Sequence, residues 1–410
     1  MEPVLAPDLA RRARTIAREI AQRLVNPERF RALVDALPSS ARSVVDLAYG
    51  YPGPALLFSA LAAHEPDAIW GAVVHDYLGC AFSSGVESSN GLFIGYGGLL
   101  FGMNVRGRAD PRYLAFAARL AERLARPEGL DGPPGRIRTS TEYDIIGGLA
   151  GTLVAVAPHS VAFKNESLSV LAERARGGGR EAWRVVNPMD RTGEEYIDYG
   201  AAHGIAGVLG AVCTVTATGE QQELKRQLVE LIVAARLDAP ADARTHWPSK
   251  VGAVQRHLPR PGWCYGTPGI ASILWLAGLH VGDCAVQRMA LDAFESVASA
   301  PAESIALLDD GLCHGTAGLA ALAAALGRAS DSPALMDLSR RLGEKLVLAF
   351  DPCAPVGYRE FFDGTLVDNP AFLGGACGIA LSLLFLAGDA DAAWLQAFGF
   401  GAAPAHPGGP

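Results

Sequence analysis

Apolar residues along the 410-residue chain fall into two kinds of segment. One kind is apolar on every face, as in PGPALLFSALAA (52–63), IASILWLAGL (270–279), LAALAAALG (319–327) and IALSLLFLAG (379–388). Helices without a polar stripe must be buried all round. The other kind spaces its apolar residues by three and four among charges, as in PRYLAFAARLAERLA (111–125), EQQELKRQLVELIVAARL (220–237) and SPALMDLSRRLGEKLVLAF (332–350). That spacing predicts helices that cover a core with one face. Period-two alternation is scarce, so only short strands are expected, at insertions.

The buried segments follow a repeated signal. A Gly-x-x-Gly tetrad begins at Gly50, Gly95, Gly148, Gly204, Gly266, Gly315 and Gly375, with steps of 45, 53, 56, 62, 49 and 60 residues. One such tetrad carries almost no information, whereas seven at this spacing define a repeat architecture. One buried and one amphipathic helix per repeat predicts an all-α fold, an (α/α) toroid of seven helical hairpins in which an inner barrel is covered by an outer one. An open solenoid needs polar caps at its two ends. The first and last repeats here are as apolar as the middle ones, which favours closure. Residues 1–400 are therefore expected to form one domain, followed by a disordered tail over 401–410. The glycines themselves are explained by tight turns and close helix packing, so chemistry has to come from the residues in front of them.

Composition narrows the possibilities. Half of the residues are apolar, 19% are charged and the net charge is −8. With 43 acids against 35 bases the chain lacks the basic footprint of a nucleic-acid binder. The uncharged stretch from Pro261 to Gly282 has the length of a membrane span, but glycines, a histidine and polar aromatics interrupt it. The N-terminal ARRARTIAREIAQRL is an amphipathic helix without the apolar core of a secretory signal. A cytoplasmic protein with no transmembrane segment is expected, its apolar excess spent on a large core. Seven cysteines in a chain of this size point to thiols or metal ligands and not to disulfides.

The residues just before the first glycines are Tyr49, Ile94, Gly147, His203, Tyr265, His314 and Gly374, and one position earlier stand Ala48, Phe93, Ile146, Ala202, Cys264, Cys313 and Leu373. In a ring, equivalent positions of different repeats converge, so Cys264, Cys313, His314 and His203 are expected to be neighbours. Two thiolates and an imidazole with a fourth position open make a catalytic zinc site, and sulfur ligands favour zinc over magnesium or calcium. Taken singly, each cysteine reads as a small buried hydrophobe; their common register argues against that. Cys80, Cys213, Cys284, Cys353 and Cys377 lack the register and read as packing residues.

The segments AHGIAG (202–207), GWCYGTPG (262–269) and LCHGTAG (312–318) resemble those of the lanthipeptide cyclase (LanC-like) family. EYDIIGGLAG (142–151), the HWPS segment at 246–249 and the first-repeat YGYPG add to the likeness, which runs over nearly the whole chain. The resemblance implies the toroid already reached from the repeats. It implies zinc (Zn2+) ligation by Cys264, Cys313 and His314, an active-site role for His203, and Asp144, Arg260 and Tyr265 lining the site with Trp263 beside them. Asp144 also reads as the cap of its inner helix, Arg260 as a solvated loop residue, and Tyr265 and Trp263 as pocket walls.

Members of the family add a cysteine thiol of a precursor peptide across a dehydroalanine or dehydrobutyrine of the same peptide, giving a lanthionine or methyllanthionine thioether. A free thiol, with a pKa of about 8.5, is mostly protonated at neutral pH, and zinc coordination removes that proton. Addition at the β-carbon then leaves an enolate. His203 is expected to protonate it, Arg260 to stabilise the substrate carbonyl, and Asp144 to orient His203 or Arg260. The expected partners are a dehydrated precursor peptide with its leader, a separate dehydratase, since no such domain precedes the toroid, and an exporter complex. Two alternatives remain at this level: addition of glutathione or another thiol to dehydroamino acids, and a non-catalytic peptide-binding toroid.

Overall fold

The computed structural model describes residues 1–38, 43–66, 68–83, 89–125, 139–186, 193–237, 245–252, 261–300, 305, 307, 309–362 and 364–401. The expected tail lies outside these residues except for Gly401. The helices, in chain order, are α1 (Pro7–Arg23), α2 (Pro27–Asp35), α3 (Pro52–His64), α4 (Trp70–Ser83), α5 (Tyr96–Gly107), α6 (Arg112–Leu124), α7 (Leu149–Val156), α8 (Val161–Arg176), α9 (Ile205–Val215), α10 (Gln222–Ala234), α11 (Thr267–Val281), α12 (Cys284–Ala298), α13 (Thr316–Ser330), α14 (Pro333–Ala349) and α15 (Ala376–Leu386). Strands are short: β1 (Arg184–Val186), β2 (Glu195–Asp198) and β3 (Lys250–Val251) form an antiparallel sheet in that order, and β4 (Glu360–Phe362) pairs with β5 (Thr365–Val367). Among the described residues no helix is long and apolar enough to cross a membrane; the Pro261–Gly282 stretch yields the 15-residue α11.

Helices α5, α7, α9, α11, α13 and α15 each begin one residue after the first glycine of a tetrad, and α3 begins two after it. Every residue from Leu149 to Val156 of α7 and from Ala376 to Leu386 of α15 is buried, as the all-apolar segments require. Close approach explains the second glycine of the tetrad. A Cβ on Gly318 would lie 1.8 Å from the Leu312 carbonyl oxygen, and one on Gly269 would lie 2.1 Å from that of Trp263. No side chain fits there, because the turn before the helix folds back against the helix's first residues.

An acidic or amide side chain shapes these turns. Oδ1 of Asp46 accepts from the N–H groups of Tyr49 and Gly50, and Oδ1 of Asp144 from those of Gly147 and Gly148. Two residues further from the glycine, Asp198, Asp309 and Asn369 accept from the N–H groups of Gly200, Gly311 and Ala371. Each satisfies donors that the chain would otherwise bury without a partner.

The chain divides into two compact units. The first comprises residues 1–89, 93–117 and 306–394. In it α3 packs on α4, α13 on α14, and α15 on α13, α3 and α1. The outer helix of the seventh hairpin is thus α1, from the other end of the chain. Its buried face is Ala10, Ala13, Ile16, Ala17, Ile20 and Ala21, small enough to let the two helices approach closely. Arg14 fastens the pair, with Nε 2.7 Å from Asp389 Oδ2 and a second nitrogen 2.6 Å from the Ala387 carbonyl. The turns before the inner helices are joined by main-chain bonds. Ala48 C=O accepts from Phe372 and Leu373 N–H, and Leu373 C=O accepts from Leu312 and Cys313 N–H.

The second unit comprises residues 90–92, 118–305 and 395–410. Here α7 packs on α8, α9 on α10 and α11 on α12, while α9 lies between α7 and α11. The same main-chain bond recurs: Cys264 C=O accepts from Ala201 N–H at 3.0 Å and from Ala202 N–H at 3.3 Å. In both units the residue two positions before a tetrad is clamped to its counterpart in the next repeat. This is the physical basis for reading that position as a register.

Candidate metal centre and its polar neighbours

In the second unit, Asp144 is fully buried just before α7, and His203 stands just before α9. With Oδ1 given to the turn, Asp144 keeps Oδ2 for His203, whose Nδ1 lies 2.7 Å away. The two readings of Asp144, helix cap and site residue, are therefore compatible, one oxygen for each. Burial disfavours the imidazolium of His203, but the Asp144 hydrogen bond and the charges of Asp144, Asp198 and Cys264 outweigh it and raise the pKa above the usual histidine value.

Tyr265 lies against the same imidazole, ring centroids 6.3 Å apart and planes 28° from parallel. Its hydroxyl donates to Oδ2 of Asp198 at 2.9 Å. Asp198, at the end of β2, is wholly buried, and burial pushes its carboxyl up to about 6 against the opposing pull of His203, the Gly200 N–H, Lys250 and Tyr265. Burial, followed by the charge of Asp198, drives the Tyr265 phenol far above the ordinary tyrosine range, so it remains a hydrogen-bond donor. Gly200 makes room for this ring, since a Cβ there would come within 2.7 Å of it.

Asp198 is absent from the sequence-level candidates. Its signal is an acid six residues before a tetrad, a position shared with Asp309. Trp263, expected beside the site, turns into the core: its indole donates to the Phe398 carbonyl at 2.9 Å and packs edge-on against the Phe398 ring. In the HWPS segment, His246 N–H donates to Thr267 Oγ1 and Trp247 donates to the Ile232 carbonyl, tying the segment to α11 and α10. Arg260 lies outside the described residues.

In the first unit, Cys313 and His314 occupy the turn before α13. Oδ2 of Asp309, two residues from the start of that turn, stands 3.3 Å from Nε2 of His314. Of the cysteines outside the register, Cys213 and Cys377 are buried packing residues as expected, and burial pushes the Cys213 thiol up to about 12. Cys284 and Cys353 are exposed instead, because one opens the outer helix α12 and the other sits in a surface turn.

The ligand atoms of Cys264, Cys313 and His314 lie within 4.8 Å of one another, and no other group of three or more potential ligands of this kind is found among the described residues. Donors at about 2.0–2.3 Å from a tetrahedral zinc span such separations with small adjustments. Two thiols with one imidazole suit zinc by softness, and a carboxylate beside the imidazole is the usual companion of a metal-bound histidine.

The sequence profile of the family described as lanthionine synthetase C-like protein matches residues 44–398. The chain belongs to the lanthionine synthetase C-like family. Among solved structures it matches nisin cyclase with a TM-score of 0.72 at 18% identity, covering 94% of this chain and 97% of that one. The shared fold is an α/α toroid. Comparison with curated proteins gives no significant match.

Proposed function

We propose that this protein is a zinc-dependent lanthipeptide cyclase, joining cysteine thiols to dehydroalanine or dehydrobutyrine within a dehydrated precursor peptide. The observation that carries the reading is the coincidence, in a chain of this family, of the Cys264, Cys313 and His314 donor group with the hydrogen-bonded pair Asp144 and His203. A zinc ion held by the three donors would supply the substrate thiol as thiolate at neutral pH.

The chain's own residues supply the rest. His203, whose imidazolium is favoured by the hydrogen bond and charge of Asp144, is the acid placed to deliver a proton to the α-carbon after the sulfur has added at the β-carbon. Asp144 holds Nδ1, which directs Nε2 outward as the proton-transferring atom and stabilises the charged ring. The Tyr265 hydroxyl is committed to Asp198, which favours a role in holding the ring against His203 over one in proton transfer. Arg260 remains the proposed partner of the substrate carbonyl. A separate dehydratase would supply the substrate, and an exporter complex remains the proposed setting of the finished peptide.

The test combines metal analysis with a cyclisation assay. Purified wild-type protein should contain zinc and should protect the cysteines of a dehydrated test peptide from alkylation. C264A should lose both properties; H203A should keep zinc and lose cyclisation. Retained zinc and full activity in C264A would overturn the reading. Glutathione adducts in place of internal rings would reassign the thiol donor.

A further inference from the structure

We infer that Asp309 is the positioning residue for His314, fixing which ring nitrogen faces the metal. The inference rests on the zinc reading above and extends it to a residue with no assigned role.

Three residues share one register. Asp198, Asp309 and Asn369 each stand six positions before the first glycine of their tetrads, and Oδ1 of each accepts from the N–H two residues on, at 2.8, 3.0 and 2.8 Å. The turn thus uses one oxygen acceptor, and in the seventh repeat an asparagine provides it. There the remaining amide group donates to Glu360 Oε2 at 2.7 Å, a purely structural contact. A second carboxylate oxygen is surplus to the turn. In the fourth repeat that oxygen accepts from Tyr265, and in the sixth it stands 3.3 Å from Nε2 of His314.

A neutral imidazole has one N–H and one lone pair. A buried carboxylate beside Nε2 stabilises the tautomer that carries its hydrogen there, which leaves the lone pair on Nδ1. The carboxylate also makes the ring a more basic ligand. Asp309 is well placed to do this because its own side chain is immobilised by Gly311, within the turn that carries Cys313 and His314.

The experiment uses D309N, which keeps an oxygen for Gly311 but turns an amide toward Nε2, and D309S, whose hydroxyl can also accept from Gly311. Metal-free protein is titrated with zinc in competition with a chromophoric chelator, and separately with cobalt to record its absorption spectrum. Both variants should bind zinc about 10–100-fold more weakly than wild type, with a changed cobalt spectrum and an unchanged Tm of the metal-free form. D198N, altered at the same register in another repeat, should bind zinc as wild type does. Wild-type affinity in D309N and D309S, or an equal loss in D198N, would overturn the inference. Failure of the wild type to bind either metal would overturn the zinc reading itself, and this inference with it.

Discussion

His203 and Asp144 meet through a 2.7 Å hydrogen bond although 59 residues separate them. The bond exists because Asp144 divides its carboxylate between two tasks. D144N should keep the turn, since an amide oxygen can still accept from Gly147 and Gly148, while losing the negative partner of the imidazole. Cyclisation is expected to slow by roughly 10²–10⁴-fold with zinc content unchanged. The acidic form of His203 should also be lost at lower pH than in the wild type, because the interaction that raises its pKa has gone. A pH–rate profile whose alkaline limb does not move toward acid would contradict this.

Asp198 gives a prediction about stability. Its folded-state pKa of about 6 exceeds the unfolded value near 3.9. Its contribution to stability is therefore full below the unfolded value and lost as pH rises through about 6. D198N carries no charge at any pH, so the wild type should lose ground to it between pH 5 and pH 7.5. Urea denaturation of both proteins at the two pH values reads this directly; a constant difference would mean that Asp198 is not held protonated by burial.

Two glycine substitutions should separate crowding from backbone conformation. G318A would force a methyl group against the Leu312 carbonyl, in the turn that carries Cys313 and His314, at a cost on the order of 3–5 kcal/mol. At Gly282, where φ is +73° and nothing lies within 4 Å of the added Cβ, alanine should cost about 1–2 kcal/mol. Thermal denaturation of the two variants checks the order.

The contact between α1 and α15 can be tested at arginine. R14A removes a partly buried pair with Asp389 and the bond to the Ala387 carbonyl, which should cost about 1–3 kcal/mol. R11A removes only a pair between exposed side chains, with Asp8, and should leave the denaturation midpoint unchanged.

The repeat, the buried character of α11, α13 and α15, and the register of Cys264 and Cys313 are all legible in the sequence, because glycine spacing and all-apolar runs are local signals. The acids that support the site are harder to read. Asp46 and Asp144 stand four residues before their glycines, whereas Asp198 and Asp309 stand six before theirs, so a search at one offset finds only half of the pattern. The role of α1 is also hidden: its sequence announces an amphipathic helix, but only the folded chain shows that α15 is what it covers. Trp263 sits beside a metal-ligand candidate in sequence, yet its indole is buried and spent on the Phe398 carbonyl, a partner 135 residues away that no local signal announces.

The pairing of α1 with α15 has a consequence for biosynthesis. Arg14 and Asp389 are 375 residues apart, so α1 is synthesised long before α15 and must wait for it before its apolar face is covered. Contacts of such long range are slow to form, and until then the face of α1 is a site for chaperones or for unwanted association. A chain interrupted before α15 would leave both α1 and α3 without the helix they share, so incomplete products should be cleared by proteolysis and not accumulate as partial rings.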